Sequence, residues 1–203
     1  MRSDIDVGLT EALALAEWLR EYERAERIVE RLSDHLVACL MAGGRILTCG
    51  NGGSMCDAMH FAEELSGRFR NDRRALSAQA ISDPAHLTCV ANDWGYDQVF
   101  ARGVEAWGRP GDTLVEFSTS GNSRNLIVAA EASKALGLHV VGLLGRDGGH
   151  LKQLCDLSLV VPGRSSERIQ EIHLTVVHLV VEQIERQLFC ENYEAGPHLT
   201  PDR

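Results

Sequence analysis

The sequence predicts an α/β fold, a three-layer sandwich with a central parallel sheet flanked by helices. Apolar strand-like runs alternate with helix-like runs over most of the 203 residues, and this alternation is typical of a parallel sheet with helices on both faces. Two loops rich in glycine or serine, at 50–54 and 118–123, each follow a strand-like run and precede a helix-like run. A hydrophobic fraction of 44% is ordinary for one domain with a large core.

The first 43 residues are predicted to form a helical arm. Apolar side chains recur at helical spacing, as in the series Leu32, Leu36 and Leu40, and two glycines at 43–44 end the helical stretch. An arm of this length exceeds what one small sheet needs to cover itself. We therefore predict that residues 1–43 serve oligomerisation.

The remaining elements alternate along residues 44–190, the predicted α/β domain. The predicted strands cover 45–49, 78–81, 113–117, 139–144 and 157–161. The predicted helices cover 54–69, 84–91, 96–107, 123–136 and 166–189. Residues 191–203 contain two prolines and few apolar side chains, so we expect a loosely held tail.

Composition and charge argue against several classes of protein. The formal net charge is −9 and no lysine- or arginine-rich run stands out, which argues against nucleic acid as a ligand. No apolar run approaches the ~20 residues of a membrane span, and the first residues lack the pattern of a secretion signal. The six cysteines have no C-x-x-C spacing, so we expect reduced thiols in a cytoplasmic protein.

The loop 118–123 is a candidate phosphate site. It offers hydroxyls at Ser118, Thr119, Ser120 and Ser123 between a strand and a helix start. Ligands of open parallel sheets sit at the carboxyl ends of the strands, where hydroxyls and free N–H groups meet the positive end of a helix dipole. The alternative is a hydroxyl-rich turn with an ordinary helix N-cap.

The loop 50–54 is the equivalent turn after the first strand. Asn51, Gly52 and Gly53 let the backbone approach a ligand closely, although a tight turn alone needs one or two glycines. The loop matches neither a Walker sequence nor G-x-G-x-x-G, so a nucleotide cofactor is not expected.

A shorter polar segment, containing Asn92 and Asp93, is predicted to lie between two helices. It is either a turn or a contact to a sugar hydroxyl.

Four side chains could perform chemistry. His60 and Glu64 are four residues apart on a predicted helix and share one face, where they form either a metal-binding pair or a surface pair. Gln170 and His178 lie eight residues apart on the last helix, which is ~12 Å of rise and long for one shared metal. His173 lies on a different face of that helix, and we place it outside the site.

A carboxylate and an imidazole facing one sugar phosphate are typical of an aldose–ketose isomerase. Glu64 would act as the base that moves a proton between adjacent carbons, and His178 as the acid. A metal held by His60, Glu64, Gln170 and His178 would polarise the substrate oxygens. Because a bound metal lowers the basicity of a carboxylate, we expect its contact with Glu64 to loosen when substrate binds.

The motifs closely resemble those of the phosphoheptose isomerase family, in the sugar-isomerase (SIS) domain superfamily. The matching stretches are 50–54, Cys56–Leu65, 91–93, 118–123 and Arg168–His173, within a resemblance that runs from roughly residue 5 to residue 190. The blocks around His60 and Gln170 are specific to this family, whereas the Ser-Thr-Ser-Gly loop marks the superfamily. The resemblance implies a SIS-type, flavodoxin-like fold and conversion of D-sedoheptulose 7-phosphate to D-glycero-D-manno-heptose 7-phosphate.

The resemblance also implies particular residues and partners. It implies zinc at His60, Glu64, Gln170 and His178, with Glu64 and His178 as the acid–base pair. Substrate contacts are implied for Asn51, Gly52, Gly53, Glu64, Asn92, Asp93, Ser118, Thr119, Ser120, Ser123 and Gln170. It further implies a homotetramer with active sites between subunits, and heptose supply for a cell-envelope polysaccharide such as lipopolysaccharide or for another heptose-containing product.

Two acidic residues depart from the family pattern. Glu116 lies in a predicted buried strand, where an unpaired acid is costly, so we expect a basic partner or a side chain directed out of the core. Glu167 stands where an aspartate is common near the site, and its longer side chain can change a contact there.

Two other functions stay open at this point. One is a SIS-type isomerase for another sugar phosphate, such as a hexulose phosphate, which would keep both loops without requiring the four metal-type residues. The other is a non-catalytic interaction protein of the replication-initiator-associating type, which loss of those four residues would favour. All four are present.

Overall fold

The protein is a five-stranded parallel sheet covered on both faces by helices. The computed structural model describes residues 3–21 and 23–193, with the backbone but not the side chains of 23–25. The strands are β1 (Ile46–Gly50), β2 (Ala78–Ala80), β3 (Thr113–Ser118), β4 (His139–Gly145) and β5 (Leu157–Val161), in the spatial order β2-β1-β3-β4-β5.

Eight α-helices connect and precede the strands in the described residues. They are α1 (Asp4–Glu21), α2 (Glu23–Met41), α3 (Gly53–Ser66), α4 (Pro84–Trp94), α5 (Val99–Trp107), α6 (Arg124–Leu136), α7 (Leu151–Leu154) and α8 (Ser166–Leu188). Short 3₁₀ turns cover Tyr96–Gln98 and Cys190–Asn192. None of these helices combines the length and apolar character needed to cross a membrane.

The strand order creates a crevice between β1 and β3. The two strands pair in parallel from Ile46 opposite Thr113 to Gly50 opposite Phe117. From this pair the chain winds outward in opposite directions, to β2 on one side and to β4 and β5 on the other. Ligands of open parallel sheets bind outside the carboxyl ends of the strands at such a reversal point. The loops 50–54 and 118–123 leave β1 and β3 at this place.

The two faces of the sheet are packed by different helices. One core joins α2, α3 and α8 to the sheet through residues such as Leu36, Phe61 and Val177. The other joins α5 and α6 to the opposite face through Phe100 and Leu126. The central strands β1 and β3 are buried along their whole length, as expected for strands covered on both faces.

The five predicted strands are confirmed to within one residue at each end. Three helical predictions were wrong in detail. Helix α3 ends at Ser66 rather than 69, α4 continues to Trp94 before Gly95 breaks it at φ +88°, and Tyr96–Gln98 is a 3₁₀ turn. The four-residue helix α7 was not predicted, because one turn is too short to show a periodic pattern.

The two N-terminal helices differ in burial. Helix α2 contributes Leu32 and Leu36 to the core, whereas α1 has no buried residue. The side chains of Ile5, Leu9 and Leu13 on α1 are 59–76% exposed. Of the predicted tail, residues 191–193 continue the chain after α8, and 194–203 lie outside the described residues.

Candidate active site

Three side chains from α3 and α8 meet at one point. The Nε2 atom of His60 lies 3.0 Å from Nε2 of His178 and 3.2 Å from Oε1 of Glu64. One potential ligand atom from each residue lies within 4.8 Å of the others. Within the described part of the chain, no other group of three or more His, Cys, Asp or Glu residues meets that distance. The sequence-predicted pair on α3 is thus joined by the histidine predicted on α8.

Core packing fixes where these side chains lie. Phe61 and Leu65 on α3 are buried in the core, and His60 and Glu64 each precede one of them along the helix, so they lie at the edge of the same face. On α8, the buried Val177 sits directly before His178. The apolar periodicity of both helices therefore brings the polar residues to the seam between them.

An aromatic ring supports His178 from one side. The ring of Phe69, just beyond α3, stacks on the imidazole with centroids 5.9 Å apart and an interplanar angle of 29°. The Arg70 guanidinium lies 5.3 Å from the centre of the Phe69 ring, a cation–π arrangement. These contacts restrict the orientation of the imidazole.

The environment shifts the pKa values of two of the three groups. Burial, followed by the neighbouring Glu63 carboxylate, raises the pKa of Glu64. Burial, followed by the nearby His60, lowers the pKa of His178. A carboxylate with a raised pKa accepts a proton more readily, and a neutral imidazole has a free lone pair. The shift at Glu64 favours proton acceptance, and the shift at His178 favours a neutral imidazole that can bind a metal.

The donor set fits a zinc ion. Two imidazole nitrogens and a carboxylate oxygen converge from rigid helices, and this combination of ligands is typical of zinc sites. The two imidazoles face each other through their Nε2 atoms, 3.0 Å apart, so the same two nitrogens can share a hydrogen bond or bind one cation. The residues present could therefore hold zinc.

Gln170 contacts the first turn of α3. Its Nε2 lies 3.3 Å from Oγ of Ser54, and a Cβ added at Gly53 would lie 2.6 Å from the same nitrogen. Residue 53 must therefore be glycine for the amide to occupy this position. The structure brings Gln170 to the glycine loop, and its role as a metal ligand stays a prediction.

The hydroxyl-rich loop after β3 forms a compact turn at the start of α6. Oγ of Ser118 accepts a hydrogen bond from the Gly121 amide at 3.0 Å, and Oγ of Ser120 accepts one from the Asn122 amide at 3.2 Å. Ser123 is the N-cap of α6, yet its side chain makes no capping hydrogen bond. The Leu126 and Ile127 amides donate to the Ser123 carbonyl oxygen at 3.1 Å, so the Ser123 hydroxyl and the first two amides of α6 remain for an anionic ligand.

The start of α8 closes the same region and was missed by the sequence reasoning. Oγ1 of Thr119 lies 3.1 Å from Oγ of Ser166. The buried hydroxyl of Ser165, the N-cap of α8, makes no capping bond to that helix, and, after the backbone N–H of Glu167, its hydrogen bond helps to lower the pKa of the Glu167 carboxyl. The serine hydroxyls at 165 and 166 thus lie at a helix start, where the helix dipole favours an anionic ligand. The adjacent serines before the last predicted helix were the available signal.

The side chain of Asn51 is already paired. Its amide exchanges hydrogen bonds with Asn125 at 2.8 and 2.9 Å, and Oη of Tyr96 donates to Oδ1 of Asn51 at 2.9 Å. A ligand can therefore contact the backbone of Asn51 more readily than its side chain. Gly52, the N-cap of α3, has φ +57° and no side chain to cap the helix, and the Gln170 amide lies against this first turn.

The prediction that Asn92 and Asp93 lie in a loop was wrong. Both belong to the last turn of α4 and are exposed. Nδ2 of Asn92 donates to Oδ1 of Asp93 at 2.7 Å, and the Cys89 thiol lies 3.6 Å from Oδ2. Helix α4 runs on through these residues to Gly95, where a positive φ of 88° breaks it. Their contact with substrate stays a prediction.

The expectation for Glu116 was also wrong. The residue is fully buried, and no basic group among the described residues forms an ion pair with it. The Cys49 thiol lies 3.8 Å from Oε1, and Oε2 has no hydrogen-bond partner. Burial raises the pKa of Glu116 well above its usual value, so a protonated carboxyl avoids the cost of a buried charge.

Two further residues lie outside the cluster. His173 is fully buried, with Nε2 3.0 Å from the Leu144 carbonyl oxygen, and burial lowers its pKa to about 4. It is a neutral core histidine that donates to the backbone. Glu167 is exposed in the first turn of α8, and its own backbone N–H lowers the pKa of its carboxyl.

Comparison with known proteins defines the class first. Residues 12–145 match the family model described as SIS domain. The chain therefore belongs to the SIS-domain proteins, in agreement with its parallel sheet and its hydroxyl-rich loop after β3.

Closer relatives define the family within that class. A phosphoheptose isomerase from Fusobacterium nucleatum is 51% identical over 184 residues, which cover 91% of this chain and 94% of the relative. One from Tolumonas auensis is 50% identical and covers 89% and 94%. The solved phosphoheptose isomerase GmhA from Neisseria gonorrhoeae superposes with a TM-score of 0.83 at 37% identity, covering 89% and 96%. The chain belongs to the phosphoheptose isomerase family.

Proposed function

We propose that the chain converts D-sedoheptulose 7-phosphate to D-glycero-D-manno-heptose 7-phosphate. The observation that carries the proposal is the meeting of Glu64 with His178 across the seam of α3 and α8. Membership of the phosphoheptose isomerase family supports the substrate class. The hydroxyl-rich loop at the carboxyl ends of the strands supports a phosphate group nearby.

The proposed reaction moves one proton between adjacent carbons. Glu64 takes a proton from C1 of the ketose and returns it to C2, so its carboxylate is regenerated in each turnover. His178 gives a proton to the oxygen on C2 and receives one from the hydroxyl on C1. The intermediate is an enediol, and general acid–base catalysis of this kind contributes about 10²- to 10⁴-fold. The raised pKa of Glu64 supports its role as base.

Zinc is the proposed cofactor, held by His60, Glu64, Gln170 and His178. When bound, the ion supplies a positive charge that stabilises negative charge on the substrate oxygens. Support comes from the convergence of three of these four residues. Phe69 keeps the His178 ring in place, which helps one imidazole to serve both the ion and the substrate.

The proposed substrate contacts are those that the family resemblance implies. They are Asn51, Gly52, Gly53, Glu64, Asn92, Asp93, Ser118, Thr119, Ser120, Ser123 and Gln170. The Ser123 hydroxyl, which makes no capping bond to α6, supports a phosphate contact at that helix start. The paired side chain of Asn51 supports a contact through its backbone.

A homotetramer is proposed as the working form. The exposed apolar stripe of Ile5, Leu9 and Leu13 on α1 supports the assignment of residues 1–43 to oligomerisation. A cytoplasmic location is proposed as well, and the six free cysteines support a reducing compartment. The product would supply heptose for an envelope polysaccharide such as lipopolysaccharide.

The test is turnover of sedoheptulose 7-phosphate by purified protein, with metal content measured on the same sample. A panel of hexulose and pentulose phosphates serves as the comparison. We expect preferred turnover of the heptulose phosphate, loss of activity on chelation and recovery with zinc. Preferred turnover of a shorter sugar phosphate would show that the proposed substrate is wrong. No turnover of any sugar phosphate by metal-loaded protein would favour a non-catalytic interaction protein.

A further inference from the structure

A buried arginine lies where α3 ends. Arg73 belongs to the segment between α3 and β2, and its side chain is 1% exposed. Its Nε donates to Oε1 of Glu185 on α8 at 2.8 Å. This pair takes no part in the proposed proton transfer, although it joins the two helices that carry the proposed catalytic groups.

The guanidinium caps the carbonyl end of α3. Nη2 donates to the backbone oxygen of Glu64 at 2.6 Å, and Nη1 donates to the oxygens of Leu65 at 2.9 Å and Gly67 at 2.8 Å. The last carbonyls of a helix have no intrahelical partners, and a cation at this end is favourable. One side chain therefore fixes the backbone of the proposed base itself.

The carboxylate of Glu185 is held from both sides. Oε1 accepts from Arg73, and Oε2 accepts from Oη of Tyr193 at 2.8 Å. The Glu185 side chain is 2% exposed. It lies seven residues after His178, about two helical turns or ~10 Å along α8. A rigid link thus runs from the Glu64 backbone through Arg73 and Glu185 to the helix that carries His178.

We propose that Arg73 and Glu185 are positioning residues that set the separation between Glu64 and His178. This inference rests on the proposed function, in which those two side chains move the protons. Lysine cannot replace arginine here, because its ammonium is a point charge and cannot span the carboxylate and the helix carbonyls together. Glutamine at 185 keeps the shape and removes the charge.

The experiment compares Arg73→Lys and Glu185→Gln with the wild-type protein. A displacement of about 1 Å from productive geometry costs about 100-fold in rate, so we expect kcat to fall by about 10- to 100-fold. KM should change by less than about threefold, because the residues that hold the phosphate are untouched. Zinc affinity, measured by competition with a chelator, should fall about tenfold, as it does when supporting residues around a metal site change. The double variant should lose little more than the worse single variant.

Two control variants separate positioning from general stability. Lys134→Gln removes an ion pair elsewhere in the fold, with Asp156 at 3.0 Å, and leaves α3 and α8 untouched. Val140→Ala weakens the core on the other face of the sheet and lowers Tm without altering α3 or α8. Both should keep kcat and zinc affinity close to the wild-type values.

The kcat values and zinc affinities of the folded variants decide whether Arg73 and Glu185 position the catalytic groups. Wild-type kcat and zinc affinity in a folded Arg73→Lys or Glu185→Gln variant would overturn the inference, as would an equal loss of kcat in Val140→Ala. If Arg73→Lys does not fold, Glu185→Gln and the milder Tyr193→Phe carry the test. A wild-type protein that is inactive on the heptulose phosphate would refute the proposed function, and the zinc affinities would then decide the inference alone.

Discussion

The seam between α3 and α8 contains two polar clusters with opposite properties. In one, His60, Glu64 and His178 bring together nitrogens and oxygens that can accept a further partner. In the other, Arg73 and Glu185 are almost completely buried and bonded to each other, with the remaining carboxylate oxygen held by Tyr193. The satisfied cluster gives the seam rigidity, and this rigidity allows the other cluster to keep reactive groups exposed to a ligand.

The two clusters differ in burial, and this explains why only one of them can bind a ligand. The His60 side chain is 39% exposed, so a ligand can reach it, whereas the Arg73 side chain is 1% exposed. Removing one partner of a buried ion pair costs about 3–5 kcal/mol, because it leaves an uncompensated charge. Changes at the open cluster should therefore affect activity more than stability, and changes at the closed cluster should affect both.

The largest expected effect follows from Glu64→Gln. The amide keeps the shape of the side chain but cannot take a proton, so kcat should fall by about 10³-fold while Tm stays within a few degrees. Steady-state kinetics and thermal unfolding measure the two quantities. Glu63→Gln, on the exposed neighbour, is the matched control and should change kcat by only about twofold, because it removes only the second cause of the raised Glu64 pKa. Equal activity in both variants would remove Glu64 from the chemistry.

The next largest effect is expected from His178→Ala. Loss of one imidazole from the cluster should reduce bound zinc from about one ion per chain to a small fraction and lower kcat by about 100-fold. Elemental analysis and kinetics on the same preparation check both changes. His139→Ala removes an exposed imidazole at the amino end of β4 and should alter neither value. Full zinc content in His178→Ala would contradict the proposed ligand set.

A smaller effect on binding is expected from Ser123→Ala. The hydroxyl makes no capping bond to α6, so its loss should leave Tm unchanged. If it contacts the phosphate, the lost hydrogen bond to a charged group should raise KM about tenfold with kcat nearly constant. Ser77→Ala, before β2 at the other end of the sheet, is the control. A lower Tm with normal KM would show that Ser123 serves the helix instead.

The smallest effect on activity, and a defined one on stability, is expected from His173→Gln. Burial lowers the pKa of His173 from 6.5 to about 4, so the unfolded chain binds the proton more readily. The imidazole's contribution is present above pH 6.5 and is lost as the pH falls towards 4. From pH 7 to pH 5, the loss of this contribution should lower the free energy of unfolding by about 2 kcal/mol.

Urea unfolding at the two pH values measures this loss. Glutamine can still donate to the Leu144 carbonyl but does not titrate, so the variant should lose less stability than the wild type over this interval. An identical pH dependence in both proteins would show that His173 is not the responsible group.

The sequence was sufficient for the elements that depend on local patterns. The strands were predictable because short β-rich runs are bounded by glycine, proline or polar residues. The pairing of His60 with Glu64 was predictable because helical spacing places them on one face. The approach of His178 to that pair was not deducible from spacing, since it depends on how α8 packs against α3. The family resemblance supplied that link.

The wrong predictions also have physical causes. A basic partner or a side chain directed out of the core was expected for Glu116, but burial raises the pKa of its carboxyl, and the protonated form needs neither. Arg73 gave no periodic signal, because a loop residue can cap a helix from any direction. Asn92 and Asp93 were placed in a loop because Asn and Asp favour turns, although α4 continues through them until Gly95.

The central claim is that the Glu64 carboxylate carries a hydrogen between neighbouring carbons of the sugar. Turnover of sedoheptulose 7-phosphate in D₂O, followed by NMR, tests it most directly, because a proton held on a carboxylate exchanges with solvent. We predict deuterium on C1 and C2 of the sugars with the wild-type and Glu63→Gln proteins and none with Glu64→Gln. Isomerisation without solvent label in the wild type, or labelling at the wild-type rate in Glu64→Gln, would contradict the claim.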